Sequence, residues 1–177
     1  MAELHLLGQL QGSSNFPENF LFCRYSFQAG PNWSLISGCP EGQTVTGKSD
    51  HSSTVVWAQP IDIHYITKGI QGWPKIILQV SCLDNFGRSW VVGYSCSVLP
   101  SVPGHHELKI PCWTPTASTV SDRIHHYFLG GSSQLLQTDI INLGSDRFKL
   151  KTESKGTITL TIDVIIRNFS QFGIEYK

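Results

Sequence analysis

Toward the end of the chain Ile158, Leu160, Ile162, Val164 and Ile166 alternate with Thr157, Thr159, Thr161 and Asp163. A period of two puts the five apolar residues on one face of a β-strand and the polar residues on the other, as in an antiparallel sheet with one wet side. Slipping that strand by one residue would bury Asp163, so its register is firmly specified. Shorter runs of the same kind occupy residues 4–10, 20–27, 55–57, 61–66, 76–83, 90–99 and 148–150, with fainter ones at 33–36 and 107–110. The pattern predicts about eight strands or slightly more.

Turn formers separate these runs: Gly12-Ser13-Ser14-Asn15, Gly30-Pro31-Asn32, Pro40-Glu41-Gly42, Gly69, Gly72, Asp84-Asn85-Phe86-Gly87 and Pro103-Gly104. Many short strands between such turns define an all-β sandwich or barrel. One helix is predicted, near 119–129. It has Ser118 or Thr119 as N-cap, Asp122 in its first turn, apolar Val120, Ile124, Tyr127 and Phe128, and a stop at Gly130-Gly131. It is expected to lie over one edge or end of a sheet. The polar stretch 47–53 reads as a loop. No repeat of fixed period and no heptads occur.

With 177 residues, 40% of them apolar and 15% charged, the chain has the size and side-chain volume of one folded domain. Thirteen basic residues balance thirteen acidic ones. The densest basic cluster, Arg147, Lys149 and Lys151, is too sparse for the field nucleic acid demands, so no nucleic-acid partner is expected. The start MAELHLLGQL carries Glu3 and lacks a basic flank, which reads as a strand and not as a secretion signal. No apolar run approaches the ~20 residues of a membrane-spanning helix. Cys23, Cys39, Cys82, Cys96 and Cys112 are odd in number and form no C-x-x-C pair, which predicts reduced thiols in the cytoplasm. On that reading the triplets Asn32-Trp33-Ser34 and Asn168-Phe169-Ser170 are chance matches to the glycosylation pattern.

Chemistry-bearing residues are few. His105-His106 and His125-His126 offer imidazoles, but adjacent residues on a strand point to opposite faces and on a helix lie about 100° apart, so neither pair converges on one ion. Ser121, Asp122 and His125 supply the residue types of a hydrolase triad without a nucleophile elbow, and read better as the polar first turn of the helix. Phosphate-cradling glycine patterns and H-E-x-x-H are absent. The expectation is no catalytic residue, no metal site and no cofactor.

The segment 80–100, VSCLDNFGRSWVVGYSCSVLP, resembles the stretch of C2 domains that closes their calcium loop: a strand reading roughly V-x-D-x-D, a loop, a further Asp, then an apolar-apolar-Gly strand. Asp84 matches the second aspartate of that pattern, while Cys82 stands in the place of the first and Trp90 in the place of the third. Calcium needs six to eight oxygen ligands, several of them carboxylates, and a thiol and an indole supply none. The resemblance implies a C2-type sandwich without its calcium chemistry. Asp84 is then a turn residue capping its own backbone. The loop residues Asn85, Phe86 and Arg88, with Trp90, are the candidate contact with a partner or a membrane.

Across the rest of the chain a second resemblance rests on Gly8-Gln9, Leu21-Phe22-Cys23-Arg24-Tyr25, Glu41-Gly42-Gln43-Thr44, Trp57, Pro60-Ile61-Asp62-Ile63, Gly72-Trp73-Pro74, Asp84 with Phe86-Gly87-Arg88, Gly93-Tyr94 and Pro103-Gly104-His105. In that order these segments are similar to the B9 domain family, a divergent C2-like group associated with the base of cilia. The resemblance implies a C2-like antiparallel β-sandwich in which 1–177 form one domain, motif-dense over about 2–118, with 119–177 supplying a helix and closing strands. It also implies a non-catalytic subunit of the tectonic-like (Meckel syndrome) complex at the ciliary transition zone and basal body. Its partners there would be other B9 proteins, including B9 domain-containing protein 1 and the Meckel syndrome type 1 protein, and the tectonics. The assembly supports ciliogenesis and the barrier to membrane-protein diffusion. The alternative is a calcium-independent, peripheral lipid-binding domain. Physically, Trp57 and Trp73 suit the anchoring of a sandwich core, Pro60 and Pro74 suit strand starts, and Gly93 suits a bulge or close backbone approach.

Overall fold

Four buried side chains on one face of the first strand and four on one face of the last show how the alternation folds. In the computed structural model, which describes residues 1–49, 53–116 and 151–173, Ala2, Leu4, Leu6 and Leu10 meet Ile158, Leu160, Ile162 and Val164 in a continuous core. Ten strands among the described residues build it: β1 Ala2–Ser14, β2 Phe20–Gln28, β3 Trp33–Gly38, β4 Glu41–Gln43, β5 Gly47–Lys48, β6 Thr54–Thr67, β7 Lys75–Leu83, β8 Ser89–Val98, β9 Gly104–Pro115 and β10 Thr152–Arg167. All described pairings are antiparallel, in the order β3-β6-β1-β10-β9-β8-β7-β2-β4, with β5 also on β2. Between β8 and β9 the described ladder shrinks to one pair, Tyr94 opposite Trp113. There the sheet folds over, giving two layers: β3-β6-β1-β10-β9 and β8-β7-β2-β4.

The core fills the space between the layers. Leu21, Cys23, Tyr25 and Phe27 of β2 and Ile76, Leu78, Val80 and Cys82 of β7 join the residues of β1, β6 and β10. Each fully buried aliphatic side chain contributes about 1.5–3 kcal/mol. Trp57 ties the layers together, since its indole N–H donates to the Leu21 carbonyl at 2.9 Å. A smaller buried cluster of Ile77, Val91, Tyr94 and Trp113 occupies the opposite face of β7 and β8, at the fold-over.

The all-β sandwich expected from the alternation is what forms, and the differences are local. Residues 55–57 and 61–66 belong to one strand, β6. Ala58, at φ 52, sets a bulge: Trp57 and Ala58 oppose Gln11 alone between the pairs Leu10–Gln59 and Gly12–Val56. Pro60 therefore lies inside β6 and not at its start. It is tolerated because β3 flanks β6 only over Ile63–Thr67, leaving Pro60 with β1 as its described neighbour. Pro74 does precede β7. Gly93 adjoins a bulge between Val80 and Ser81, and a Cβ there would lie 3.2 Å from both Phe16 and Cys112. Residues 107–110 extend to the twelve-residue β9, and the expected loop 47–53 begins as β5. The predicted helix at 119–129 and the run 148–150 lie outside the described residues. Among those described, the helical element is one 3-10 turn, Phe169–Phe172, too short to show a period in sequence.

Candidate functional site

Strand directions gather the loops at two ends. One end holds the β2–β3 turn, the β6–β7 connection and the 3-10 turn. The other holds the starts of β2 and β8 and the β7–β8 hairpin loop, where the candidate residues lie. In that loop Asp84 organises the chain. Its backbone N–H donates to the Arg88 carbonyl at 2.9 Å, and its own carbonyl accepts from Gly87 at 3.2 Å. Its Oδ1 accepts from the backbone N–H of Phe86 (2.9 Å) and of Arg88 (2.8 Å), and Oδ2 accepts from Arg88 Nε at 2.7 Å. Partial desolvation pushes the acidity of Asp84 one way. The Arg88 guanidinium and the two backbone N–H groups outweigh it and hold the carboxyl below its usual range.

Calcium would need that carboxylate turned outward with others beside it. Instead it is consumed inside its own turn. Cys82 and Trp90, the residues in the other two aspartate places, face each other across the hairpin; Cys82 is buried in the core and Trp90 packs against it. Burial raises the pKa of the Cys82 thiol. An apolar contact occupies the place of the ion's ligands, and the donor set does not fit a calcium ion.

The structure divides the four candidate residues. Asn85, Phe86 and Arg88 are on the exposed turn, with Phe86 86% exposed and the Arg88 guanidinium 5.6 Å from its ring centre. Trp90 is in β8, half-buried, and takes no part in the tip. Near this turn, Lys48 of β5 stands 5.7 Å from the ring of Phe20, which begins β2.

Other chemistry-bearing groups stay apart. His105 Nδ1 meets Asp163 Oδ1 at 2.7 Å, while His106 Nε2 meets the Val102 carbonyl at 2.8 Å, so the pair serves two separate contacts. Among the described residues no three His, Cys, Asp or Glu side chains gather as a metal site. Ser121, Asp122, His125 and His126 lie outside the described residues. The five cysteines are free thiols; burial pushes Cys112 up to about 12 and Cys23 further still. No helix among the described residues is long and apolar enough to cross a membrane.

Sequence reasoning missed a surface made by pairing β2 with β4. Arg24 lies opposite Gln43 there, and Ser26 opposite Glu41. Both strands carry segments already singled out, Leu21-Phe22-Cys23-Arg24-Tyr25 and Glu41-Gly42-Gln43-Thr44. Nothing in the chain announces that they are neighbours.

The fold defined by these strands is that of a C2 domain. The chain superposes on the C2A domain of plant extended synaptotagmin 1 with a TM-score of 0.52, covering 94% of this chain and 96% of that one at 8% sequence identity. Within that fold, residues 4–165 match the family described as "Ciliary basal body-associated, B9 protein", and the chain belongs to this B9 family. It is 43% identical to B9 domain-containing protein 2 of Danio rerio over 175 residues, 99% of both chains. It is 32% identical to B9 domain-containing protein 1 of Xenopus laevis, over 96% of this chain and 87% of that one.

Proposed function

We propose that the chain is a non-catalytic protein-interaction module that assembles with other B9 domains at the base of the cilium. The observation that carries this reading is the hairpin loop. The C2 scaffold is kept, but its one remaining loop aspartate is spent on Phe86 and Arg88, leaving a rigid surface in place of an ion site. The full-length likeness to B9 domain-containing protein 2 supports placing it in the tectonic-like (Meckel syndrome) complex of the transition zone and basal body, on the cytoplasmic side. Its partners there are B9 domain-containing protein 1, the Meckel syndrome type 1 protein and the tectonics. Its role is to support ciliogenesis and the barrier to membrane-protein diffusion.

A specific interface of this kind buries about 1,200–2,000 Å². Co-expression with B9 domain-containing protein 1 is expected to raise the soluble yield of both chains and to give a co-eluting species in size-exclusion chromatography. One observation favours a second reading: exposed Phe86 beside Arg88, near the Lys48–Phe20 pair, places aromatic rings and cations together at one end, as a peripheral lipid contact requires. If the chain stays monomeric with every B9 partner and sediments tightly with anionic liposomes, the assembly reading fails and this one replaces it.

A further inference from the structure

On the outer face of the second layer a trough of about 400 Å³ runs along β2 between β4 and β7. A second hollow of about 230 Å³, which shares Ser26 and Glu41 with the first, continues it toward Gln28. The alternation of β2 explains its lining. Cys23, Tyr25 and Phe27 point into the core, so Arg24, Ser26 and Gln28 point out. Two rows of directly opposed residues cross the floor: Gln43–Arg24–Gln79 and Glu41–Ser26–Ile77.

The charges in these rows are unmatched. Among the described residues, Arg88 has Asp84 and Arg167 has Glu3, whereas Arg24 has only the side-chain amide oxygen of Gln43, which accepts from its Nε at 2.9 Å. That bond fixes the plane of the guanidinium and leaves its terminal nitrogens, the half of the fork that takes a carboxylate, without a partner among the described residues. Glu41 has no cationic partner among the described residues either. It stands one row along and one strand across, roughly 7–8 Å away by strand geometry, yet the two form no ion pair. The trough therefore presents a positive and a negative group held apart on one polar floor, with buried Ile77 closing the second row.

We infer that this trough binds an extended segment of a partner protein carrying an acidic and a basic residue two positions apart. In an extended chain residues i and i+2 project to the same side about 7 Å apart, close to the roughly 7–8 Å between diagonal neighbours such as Arg24 and Glu41. The acidic side chain pairs with Arg24 and the basic one with Glu41. Glu41 also argues against a polyanion, since a phosphate-rich surface at Arg24 would meet its carboxylate. The inference deepens the assembly reading by naming a surface for it. The peptide titration below reads the trough alone, whereas co-elution reads assembly through any surface.

The test is a titration of the isotopically labelled full chain, followed by NMR, with the blocked pentapeptide Thr-Glu-Val-Lys-Thr. The expected result is saturable shifts of Arg24 Nε–H and of the side-chain amides of Gln43 and Gln79. Changing the peptide Glu to Gln, or Arg24→Gln in the protein, weakens binding about tenfold, as loss of a charge-assisted pair does. The variant Arg24→Glu, its remaining spectrum unchanged, binds Thr-Lys-Val-Lys-Thr better than Thr-Glu-Val-Lys-Thr, whichever way the peptide lies. Equal affinity for the Glu and Gln peptides, no change of preference in Arg24→Glu, or no saturable shift with any of them overturns the inference.

Discussion

The two ends of the sandwich are built from different forces. At one, Trp33, Trp73 and Phe169 pack with ring centres 5.2–6.5 Å apart, and Phe172 and Tyr65 extend the group. The indole N–H groups of Trp33 and Trp73 donate to the carbonyls of Gln71 and Leu99. Gly30 donates to the Gly72 carbonyl at 2.8 Å, and Gly72 sits at φ 78 where a Cβ would lie 2.5 Å from Gly30 Cα. At the other end a single carboxylate folds a turn on itself and leaves Phe86 in solvent. The first end is held by buried area and close backbone approach, the second by local polar bonds that water also offers. Packing and exposed display thus fall at different ends: the aromatic end locks the loops and the final turn, and the hairpin end leaves Asn85, Phe86 and Arg88 exposed.

The largest effect expected from that contrast is at Trp33. Trp33→Ala removes a side chain 7% exposed from the centre of the aromatic group and is expected to cost about 3–5 kcal/mol, out of the roughly 5–15 kcal/mol typical of a domain. Trp73→Ala removes a half-buried ring and one bond to Leu99, and its cost is expected to be smaller. Urea unfolding of both variants, beside Phe86→Ala as a control that leaves the midpoint within about 0.5 kcal/mol of the parent, measures the contrast. A Phe86→Ala loss as large as that of Trp33→Ala would break it.

The ends also differ in what the chain reveals. β10 was legible because five apolar residues keep a strict period of two beside threonines and Asp163. β6 looked like two strands because Ala58 interrupts its pattern with a bulge and Pro60 follows, a residue that usually marks an edge or a start. β4 and β5, three and two residues long, have no period to show; their places are set by β2. The role of Asp84 could be read from the turn sequence because its partners are two and four residues away. The Arg24–Gln43 pair, nineteen residues apart, could not, since it exists only once β4 has paired with β2. Trp90 stands two residues past Arg88, a spacing that suggests the tip, yet β8 begins at Ser89 and the Trp90 ring packs against the core.

A smaller effect separates the ends by pH. Since the folded Asp84 carboxyl is held below its ordinary value of 3.8, its contribution to the turn is complete above the unfolded value and is lost as pH falls through the lowered one. Below about pH 4 the amides of Phe86 and Arg88 are expected to shift and to lose protection relative to the intrinsic exchange rate at the same pH, while the indole N–H signals of Trp33 and Trp73 hold their positions. Asp84→Asn is expected to abolish that pH response and to leave the aromatic end unchanged. An acid transition that reaches both ends together would show that the hairpin is coupled to the core, and the separation drawn above would fail.

The smallest expected effect is none, and it concerns calcium. A ligand present at a hundred times its dissociation constant raises stability by about 2.7 kcal/mol, which a thermal melt of a chain this size resolves as several degrees. For calcium to bind at the hairpin, Asp84 would have to release Arg88 and the backbone N–H of Phe86, and Cys82 and Trp90 would still offer no oxygen. Melts in millimolar calcium and in chelator are therefore expected to coincide. Supplying a ligand by Cys82→Asp is expected to lower Tm in both conditions, because the new carboxylate enters a position only 6% exposed within the core. A calcium-dependent rise in the parent chain that disappears in Asp84→Ala would mean the turn opens to bind the ion. The hairpin end would then be a switch, and no longer the static display surface its hydrogen bonds describe.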